Sequence, residues 1–482
     1  MHFRTLNPEI EPYWTRLRIP TELQQWPAHS GLIRRASVNS FGFDGTNAHA
    51  VLESYSNIQQ RSPRRTDSLI MPFVFSAQTE SALADVMEMG DKIRTGSQSP
   101  VVKPVNIGQA QPRVLGVFTG QRAQWPMMGC KLIRNSPWLE RRVNELKNAL
   151  SRLPEEDLGE ARLFQPLCTA VQILLVNCLK TAGIGLSAVV GHSSGEIRAA
   201  YAAECISGEA AMWIAYYRGL HTAQAGGRQE EPEGMLAVGT SMEDAQELRE
   251  LPTFAGRLTI AASNSAASVT MSGDKDAVNH AHLVYQDEKK FARPLIVDKA
   301  YHSHHMRPCA GPYGSSLEAL QIQVKEPRCS WYSSVYDGNL ITSAQGLEGQ
   351  YWVQNMCRPV LFSQALTKAV QQSDDSTIRN FHDPMDSYHL VLEVGPHPAL
   401  KGPATATIQD ALKRELPYTG LLQRNSHDTK AFADAMSFIW ARFGRGALKL
   451  PTLQAAFSDT DGRYQLVRNL PSYPGIFTRW VF

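Results

Sequence analysis

The stretch SAVVGHSSGEIRAAYAAE, residues 187–204, decides how the rest of the chain is interpreted. An apolar, β-branched run at 188–190 breaks at Gly191, and an alanine-rich segment with helical spacing follows at once. The sequence therefore predicts a strand, a sharp turn and a helix. Residues 191–195 fit the pattern G-x-S-x-G, in which small residues flank a serine whose hydroxyl is exposed on a strained turn. Ser193 is the candidate nucleophile; the alternative is a glycine- and serine-rich connection without a chemical role.

The composition excludes several classes of protein. The 482 residues carry 48 basic and 46 acidic side chains, so a net charge of +2 gives no general attraction to nucleic acid or an anionic membrane. The apolar runs are too short to span a bilayer and the N-terminus lacks a secretory signal, which favours a cytoplasmic protein without a membrane partner. Seven cysteines without a C-x-x-C pair favour reduced thiols over a disulfide framework or a zinc site.

Two further buried-strand patterns end in turns. Residues 114–118, VLGVF, run into Gly120 and Gln121, and residues 390–394, LVLEV, run into the turn GPH at 395–397. A glutamine at such a position can cap a helix or serve a functional site, and its position alone leaves both open.

A small inserted subdomain is predicted between these segments. Residues 235–297 change to short units in the order strand, helix, strand, strand, helix, strand. This order is that of the ferredoxin-like split unit.

The densest histidine cluster lies at residues 299–306, KAYHSHHM. Adjacent residues of a strand point to opposite faces, so His304 and His305 are not expected to share one metal ion, whereas His302 and His304 could. Because the sequence places no cysteine or carboxylate ligand nearby, no metal site is predicted.

These motifs occur in the order found in malonyl/acyl-CoA:acyl-carrier-protein acyltransferases, which the chain resembles over residues 114–425. The resemblance rests on Gly120-Gln121, the segment GHSSGE at 191–196, Arg218, the segment AYHS at 300–303 and the segment EVGPH at 393–397. It implies an α/β acyltransferase fold, with an α/β-hydrolase-like large subdomain and an inserted ferredoxin-like small subdomain at 234–298.

The flanking segments resemble neighbouring parts of a fungal-type, highly reducing, iterative type I polyketide synthase. Residues 41–53, FGFDGTNAHAVLE, resemble the C-terminal end of a ketosynthase, with His49 at the position of one of its two active-site histidines. The implied organisation is a ketosynthase C-terminal remnant at 1–55, a shortened linker at 56–113, the acyltransferase domain at 114–425 and a further linker at 426–482. Condensing activity is not expected, because the residues that should carry the ketosynthase cysteine are absent from the sequence.

The resemblance assigns catalytic roles to individual residues. Ser193 would attack a thioester carbonyl, and His302 would accept the hydroxyl proton and later return it to the leaving thiol. The region of Gln121 and the backbone N–H of Ser194 would form the oxyanion hole. In the family, backbone carbonyls orient the histidine, and the turn at 395–397 is the predicted source.

Three residues are predicted to bind the substrate. Arg218 lies at the position of the family arginine that holds a malonyl carboxylate through two parallel hydrogen bonds; the alternative is a solvated arginine at a helix end. Tyr301 fills the position where a bulky aromatic accompanies malonyl specificity and a serine accompanies methylmalonyl. His192 is expected to shape the turn or the carboxylate pocket.

The leading functional hypothesis is transfer of malonyl from malonyl-CoA to the phosphopantetheine thiol of an acyl carrier protein, through an ester on Ser193. The carrier protein would be a separate chain or a domain outside this sequence, and no bound cofactor is expected. Two alternatives stay open. The same groups would serve water in a serine acyl-hydrolase, and a truncated polyketide synthase fragment would be inactive.

Overall fold

The computed structural model describes residues 35–41, 47–53, 111–121, 123–153, 164–226, 232–371 and 388–457. The chain divides into two compact units, residues 1–66 and residues 67–482. In the first unit, strand β1 (Arg35–Phe41) pairs antiparallel with strand β2 (Asn47–Glu53), which carries His49. The rest of the predicted ketosynthase remnant, nearly all of the predicted linker at 56–113, and residues 458–482 lie outside the described residues.

The second unit alternates strands and helices. Its strands are β3 (Val114–Phe118), β4 (Ala188–Gly191), β5 (Glu233–Val238), β6 (Leu258–Ser265), β7 (Ser268–Asp274), β8 (Ala292–Pro294), β9 (Ser330–Tyr332), β10 (Val360–Leu361), β11 (Leu390–Val394) and β12 (Tyr418–Gly420). Its helices are α1 (Cys130–Arg134), α2 (Pro137–Leu150), α3 (Phe164–Thr181), α4 (Gly195–Ala202), α5 (Gly208–His221), α6 (Met242–Glu250), α7 (Lys275–Asp287), α8 (Arg307–Ala319), α9 (Gln350–Cys357), α10 (Phe362–Gln371), α11 (Lys401–Leu412), α12 (Asp428–Phe443) and α13 (Leu450–Phe457).

The large sheet has the strand order β12-β11-β3-β4-β9, and all its neighbouring strands are parallel. Along β3, Val114 and Phe118 belong to one core cluster while Leu115 and Val117 belong to another, as the two-residue period of a strand requires. Both faces of the sheet are therefore covered, which explains why its strands are continuously apolar in the sequence. The predicted strands at 114–118 and 390–394 are confirmed.

The small sheet has the order β10-β6-β7-β5-β8. Strands β5 to β8 pair antiparallel and, with α6 and α7, follow the predicted order of strand, helix, strand, strand, helix, strand. The sequence did not predict β10, which joins β6 in parallel from a distant part of the chain. The predicted α/β fold with an inserted ferredoxin-like subdomain is confirmed.

The segment after residue 425 contributes to the core of the large subdomain. Helix α12 buries Phe432, Met436 and Ile439 in that core, and α13 buries Leu453 and Phe457. The predicted linker at 426–482 thus supplies two packed helices. Among the described helices, none is both long and apolar enough to cross a membrane.

Candidate active site

The candidate nucleophile lies on the turn between β4 and α4. Ser193 has a φ of 53°, a left-handed conformation that non-glycine residues rarely adopt. A Cβ atom at Gly191 would lie 2.3 Å from the backbone nitrogen of Glu196, and one at Gly195 would lie 2.2 Å from the carbonyl oxygen of Phe118. Both glycines are therefore required by close backbone approach, and the predicted strand, turn and helix are confirmed.

The structure brings His302 to Ser193 from more than a hundred residues away. The Oγ of Ser193 and the Nε2 of His302 are 2.7 Å apart, and both residues are buried. The Nδ1 of His302 lies 2.8 Å from the backbone carbonyl oxygen of Arg358. Because a carbonyl can only accept, Nδ1 carries the proton and Nε2 is left as the acceptor for the Ser193 hydroxyl. This is the geometry of a serine and its general base.

The predicted source of the orienting carbonyl is wrong. The backbone carbonyl of Arg358, just before β10, accepts from His302 instead. The pairing of β10 with β6 brings the residues before β10 next to His302. The turn at 395–397 instead contacts the end of β3. A Cβ atom at Gly395 would lie 2.1 Å from the Oγ1 of Thr119, and Trp125 donates its indole N–H to the carbonyl of Pro396 at 2.8 Å.

Burial controls the protonation of His302. Desolvation, followed by the nearby Arg218 charge, lowers the pKa of His302 to about 3, although its hydrogen bond to the Arg358 carbonyl acts in the opposite direction. The imidazole is therefore neutral at neutral pH and able to accept a proton.

The two predicted oxyanion-hole positions flank the serine. A Cβ atom at Gly120 would lie 3.3 Å from the Cβ of Ser193, which places the 119–121 segment directly beside the candidate nucleophile, with Gln121 half-buried at its end. Ser194 is the N-cap residue of α4. Backbone N–H groups at this end of a helix have no intrahelical partners and lie at the positive end of its dipole.

Arg218 is buried in the site, so the alternative of a solvated arginine at a helix end is wrong. Its exposure is 0% although it lies in the last turn of α5. It donates from Nη1 to the Oδ1 of Asn355 at 3.0 Å and from Nη2 to the Oγ of Ser193 at 3.5 Å. Within the described part of the chain, no carboxylate forms an ion pair with it, and its Nε has no hydrogen-bond partner. Its charge is thus available to an anionic ligand.

Asn355 was not predicted as a site residue, yet its side chain connects Ser193 and Arg218. Its Nδ2 donates to the backbone carbonyl of Ser193 at 2.9 Å, while its Oδ1 accepts from Arg218. It is buried on α9, 162 residues away from Ser193 in the sequence. No spacing or motif in the sequence identifies it.

The other two predicted substrate-binding residues border the same region. Tyr301 packs on the large core, close enough to Arg218 to affect its pKa, which burial lowers. His192 is 2.9 Å from the Oδ1 of Asn264 and packs edge-on against the ring of Phe362. Asn264 belongs to β6, so His192 connects the serine turn to the small subdomain.

A second arginine lies beneath the serine turn and was also not predicted. Arg198 is 1% exposed on α4 and donates to the carbonyls of Ser194 and Thr119. Gln172 donates to the same Thr119 carbonyl at 3.1 Å. Arg198 therefore fixes the two backbone segments that carry the candidate oxyanion donors. Burial lowers the pKa of Arg198 to about 10, so its guanidinium stays charged at neutral pH.

The glutamate of the GHSSGE motif is structural. Glu196 is fully buried and accepts hydrogen bonds from Trp331, from the backbone and hydroxyl of Ser334, and from Tyr351. Desolvation raises the pKa of Glu196 to about 7. The carboxyl group anchors α4 to β9 and α9.

The prediction that His304 and His305 point to opposite faces of a strand is wrong. Residues His304–Met306 form a 3₁₀ helix rather than a strand. The Nε2 atoms of His304 and His305 both lie 2.9 Å from the Oδ1 of Asp274. His302 instead points to Ser193, so it does not share a site with His304.

Comparison with known families gives two matches. The acyl transferase domain family matches residues 116–443, and the ketoacyl-synthetase C-terminal extension family matches residues 7–112. A hybrid PKS-NRPS synthetase, thnA of Trichoderma harzianum, is 43% identical over 98% of this chain. The chain spans only 13% of the length of that relative.

Solved structures share the fold. The acyltransferase domain from module 8 of the salinomycin polyketide synthase has a TM-score of 0.62 at 23% identity, covering 75% of this chain and 82% of that one. A malonyl-transacylase solved with a type II polyketide synthase acyl-carrier protein, PlMCAT:AntF, has a TM-score of 0.55 at 21% identity, covering 67% and 99%.

Proposed function

This chain belongs to the acyl transferase domain family, and from that premise we propose that it moves malonyl from malonyl-CoA to the phosphopantetheine thiol of an acyl carrier protein, in polyketide biosynthesis. The observation that carries the proposal is the convergence of three groups. The hydroxyl of Ser193 lies 2.7 Å from a neutral imidazole and 3.5 Å from a buried guanidinium without a carboxylate partner among the described residues.

The reaction proceeds in two balanced steps. Ser193 Oγ attacks the thioester carbonyl of malonyl-CoA while its proton passes to Nε2 of His302. The tetrahedral oxyanion is stabilised at the Gln121 region and by the backbone N–H of Ser194. Collapse breaks the C–S bond, His302 protonates the leaving CoA sulfur, and malonyl remains as an ester on Ser193. The carrier thiol then gives its proton to His302 and attacks this ester. The bond between the acyl carbon and Ser193 Oγ breaks, and His302 returns the proton to Oγ.

Arg218 selects the acyl group. A guanidinium presents two parallel N–H donors to a carboxylate, so the free carboxylate of malonyl fits its unoccupied donors. Burial strengthens the interaction, because few waters screen it. Tyr301 narrows the pocket beside Arg218 and disfavours an α-methyl group, a discrimination of about 1–3 kcal/mol for one methyl.

The transferase is favoured over both alternatives. A hydrolase needs no charged partner for its acyl group, whereas Arg218 contributes a buried charge directly beside the serine. The hydrogen bonds that join Ser193, His302 and Asn355 support an active enzyme rather than an inactive fragment. The acyl carrier protein is the proposed partner, as a separate chain or as a domain outside this sequence.

A transfer assay with two substrates tests the proposal. The purified chain is incubated with malonyl-CoA or acetyl-CoA and a phosphopantetheinylated carrier protein, and the acylated carrier is quantified. Arg218→Ala should lose about a hundredfold or more of malonyl transfer, because two charge-assisted hydrogen bonds are removed, and should keep acetyl transfer. The exposed Arg328→Ala serves as control and should match the unchanged chain. Equal losses with both substrates would exclude the carboxylate role, and acyl release to water without transfer would favour the hydrolase.

A further inference from the structure

Three potential metal ligands converge close to the segment that carries His302. Asp274 ends β7, and His304 and His305 begin the 3₁₀ helix that follows the catalytic histidine. One ligand atom from each residue lies within 4.8 Å of the other two, and His305 is fully buried. We propose that these residues bind a divalent transition-metal ion at a site separate from the acyl-transfer site.

The distances suit such an ion. Each Nε2 lies 2.9 Å from the Oδ1 of Asp274. Ligands about 2.1 Å from a metal and at right angles to one another are about 3 Å apart, so each observed nitrogen–oxygen distance matches two adjacent positions of an octahedron. Two histidines and one carboxylate are a common ligand set for first-row transition metals, which imidazole nitrogen suits.

Within the described residues, the Nε2 atoms of His304 and His305 and the Oδ1 of Asp274 form hydrogen bonds only with one another. The Nδ1 atoms of both histidines are buried without a hydrogen-bond partner among the described residues, so no bond at Nδ1 opposes the small ring movement that coordination requires. Arg257 donates from Nε to the other carboxylate oxygen of Asp274, Oδ2, at 3.1 Å. That contact orients the carboxylate and leaves Oδ1 for the ion, as outer partners do at known metal sites.

The site also has an entry path. Asp274 and His304 line a cleft of about 1040 Å³ whose walls include Thr259 and Arg307. Three ligands from the protein leave positions that water in this cleft can fill. His304 is two residues beyond His302, whereas Asp274 belongs to the small subdomain. A bound ion would therefore tie that subdomain to the segment that positions the general base.

Metal titration of the purified full chain tests this inference. After treatment with a chelator, the chain is titrated with Co²⁺, Ni²⁺ and Zn²⁺ by calorimetry, and the Co²⁺ absorption spectrum reports the nitrogen ligands. We expect one ion per chain and a higher melting temperature in its presence. His304→Ala should weaken binding at least about tenfold, the usual effect of disturbing a metal site. His282→Ala is the control, because His282 lies on α7 about two turns beyond Asp274 and outside the proposed site. This variant should bind the ion as the unchanged chain does.

Asp274→Asn provides the second variant, because it keeps the shape of the side chain while removing its charge. Circular dichroism shows whether each variant is folded before it is titrated. Binding that is lost in both folded variants but kept in His282→Ala supports the site. Failure of all three ions to bind the unchanged chain, or equal binding in all variants, would overturn it. Either result leaves the acyl-transfer proposal intact, because that proposal uses none of these three residues.

Discussion

The side-chain amide of Asn355 donates a hydrogen bond to the backbone carbonyl of Ser193 across 2.9 Å. The oxygen of the same amide accepts from Arg218 at 3.0 Å, so one side chain fixes both the candidate nucleophile and the candidate carboxylate-binding group. Asn355→Asp replaces this amide by a carboxylate that pairs with Arg218 and cannot donate to Ser193. Steady-state kinetics should show a rise in KM for malonyl-CoA of about tenfold or more, because the guanidinium is already neutralised.

The exposed Asn144→Asp on α2 is the matched control for that substitution and should leave KM unchanged. If Asn355→Asp lowered kcat for malonyl and acetyl substrates equally and left KM unchanged, Asn355 would act on Ser193 alone and not on Arg218.

The pH dependence of acylation reports the state of His302. Since burial lowers the pKa of His302 to about 3, its neutral form dominates across the physiological range. The rate of malonyl-ester formation should therefore be nearly flat between about pH 5 and 8, without a limb near the ordinary histidine pKa. Stopped-flow acylation over this range checks the prediction, and a tenfold fall per pH unit below about pH 6.5 would contradict it.

The same depressed pKa affects stability. Between about pH 3 and pH 6.5 the unfolded chain binds a proton at His302 that the folded chain excludes. The contribution of His302 to the free energy of unfolding therefore falls as the pH drops through this window.

Substitutions of Arg198 test whether the position of the backbone next to Ser193 affects the rate of acylation. It donates to the carbonyls of Ser194 and Thr119, which belong to the two segments that carry the proposed oxyanion donors. Arg198→Met keeps much of the side-chain volume and removes the charge, and should lower kcat for acylation about tenfold to a hundredfold with little change in KM.

Arg198→Lys retains the charge and should recover part of that loss, a rescue that a purely space-filling side chain would not produce. A rise in KM with unchanged kcat in Arg198→Met would place its effect on substrate binding instead. Melting curves confirm that both variants are folded.

Glu196 gives a prediction about stability. Burial raises its pKa to about 7, above the value of 4.5 that applies when it is exposed. Between about pH 4.5 and pH 7 the folded state retains a proton on Glu196 that the unfolded state releases. The contribution of Glu196 to the free energy of unfolding therefore declines as the pH rises through this window. Glu196→Gln cannot ionise. Denaturant unfolding at about pH 5 and pH 7 should show the variant gaining stability relative to the unchanged chain at the higher pH. A constant difference would contradict the raised pKa.

The sequence identified the parts of the site that lie next to strands. Ser193 and Gln121 follow buried apolar strands, whose continuous patterns reflect a parallel sheet covered on both faces. The resemblance to a polyketide synthase acyltransferase is confirmed, and it also gave His302 and Arg218, which no local pattern distinguishes.

The sequence could not identify groups that only the tertiary fold brings together. Asn355 and the Arg358 carbonyl come from α9 and its connection to β10, and neither a side-chain spacing nor a motif marks a backbone oxygen. The expected placement of His304 and His305 on opposite faces was wrong because it assumed a strand. The left-handed φ of 63° at His302 breaks the extended conformation, and the chain then enters a 3₁₀ helix.

Intact-mass measurement after incubation with malonyl-CoA tests the central claim most directly, namely that Ser193 carries the acyl group. The unchanged chain should gain the mass of one malonyl group, fragmentation should place it on Ser193, and added phosphopantetheinylated carrier protein should remove it. Ser193→Ala should remain at its original mass, whereas Ser194→Ala should still be acylated. Acylation of Ser193→Ala to the same extent, or an adduct on another residue, would contradict the assignment.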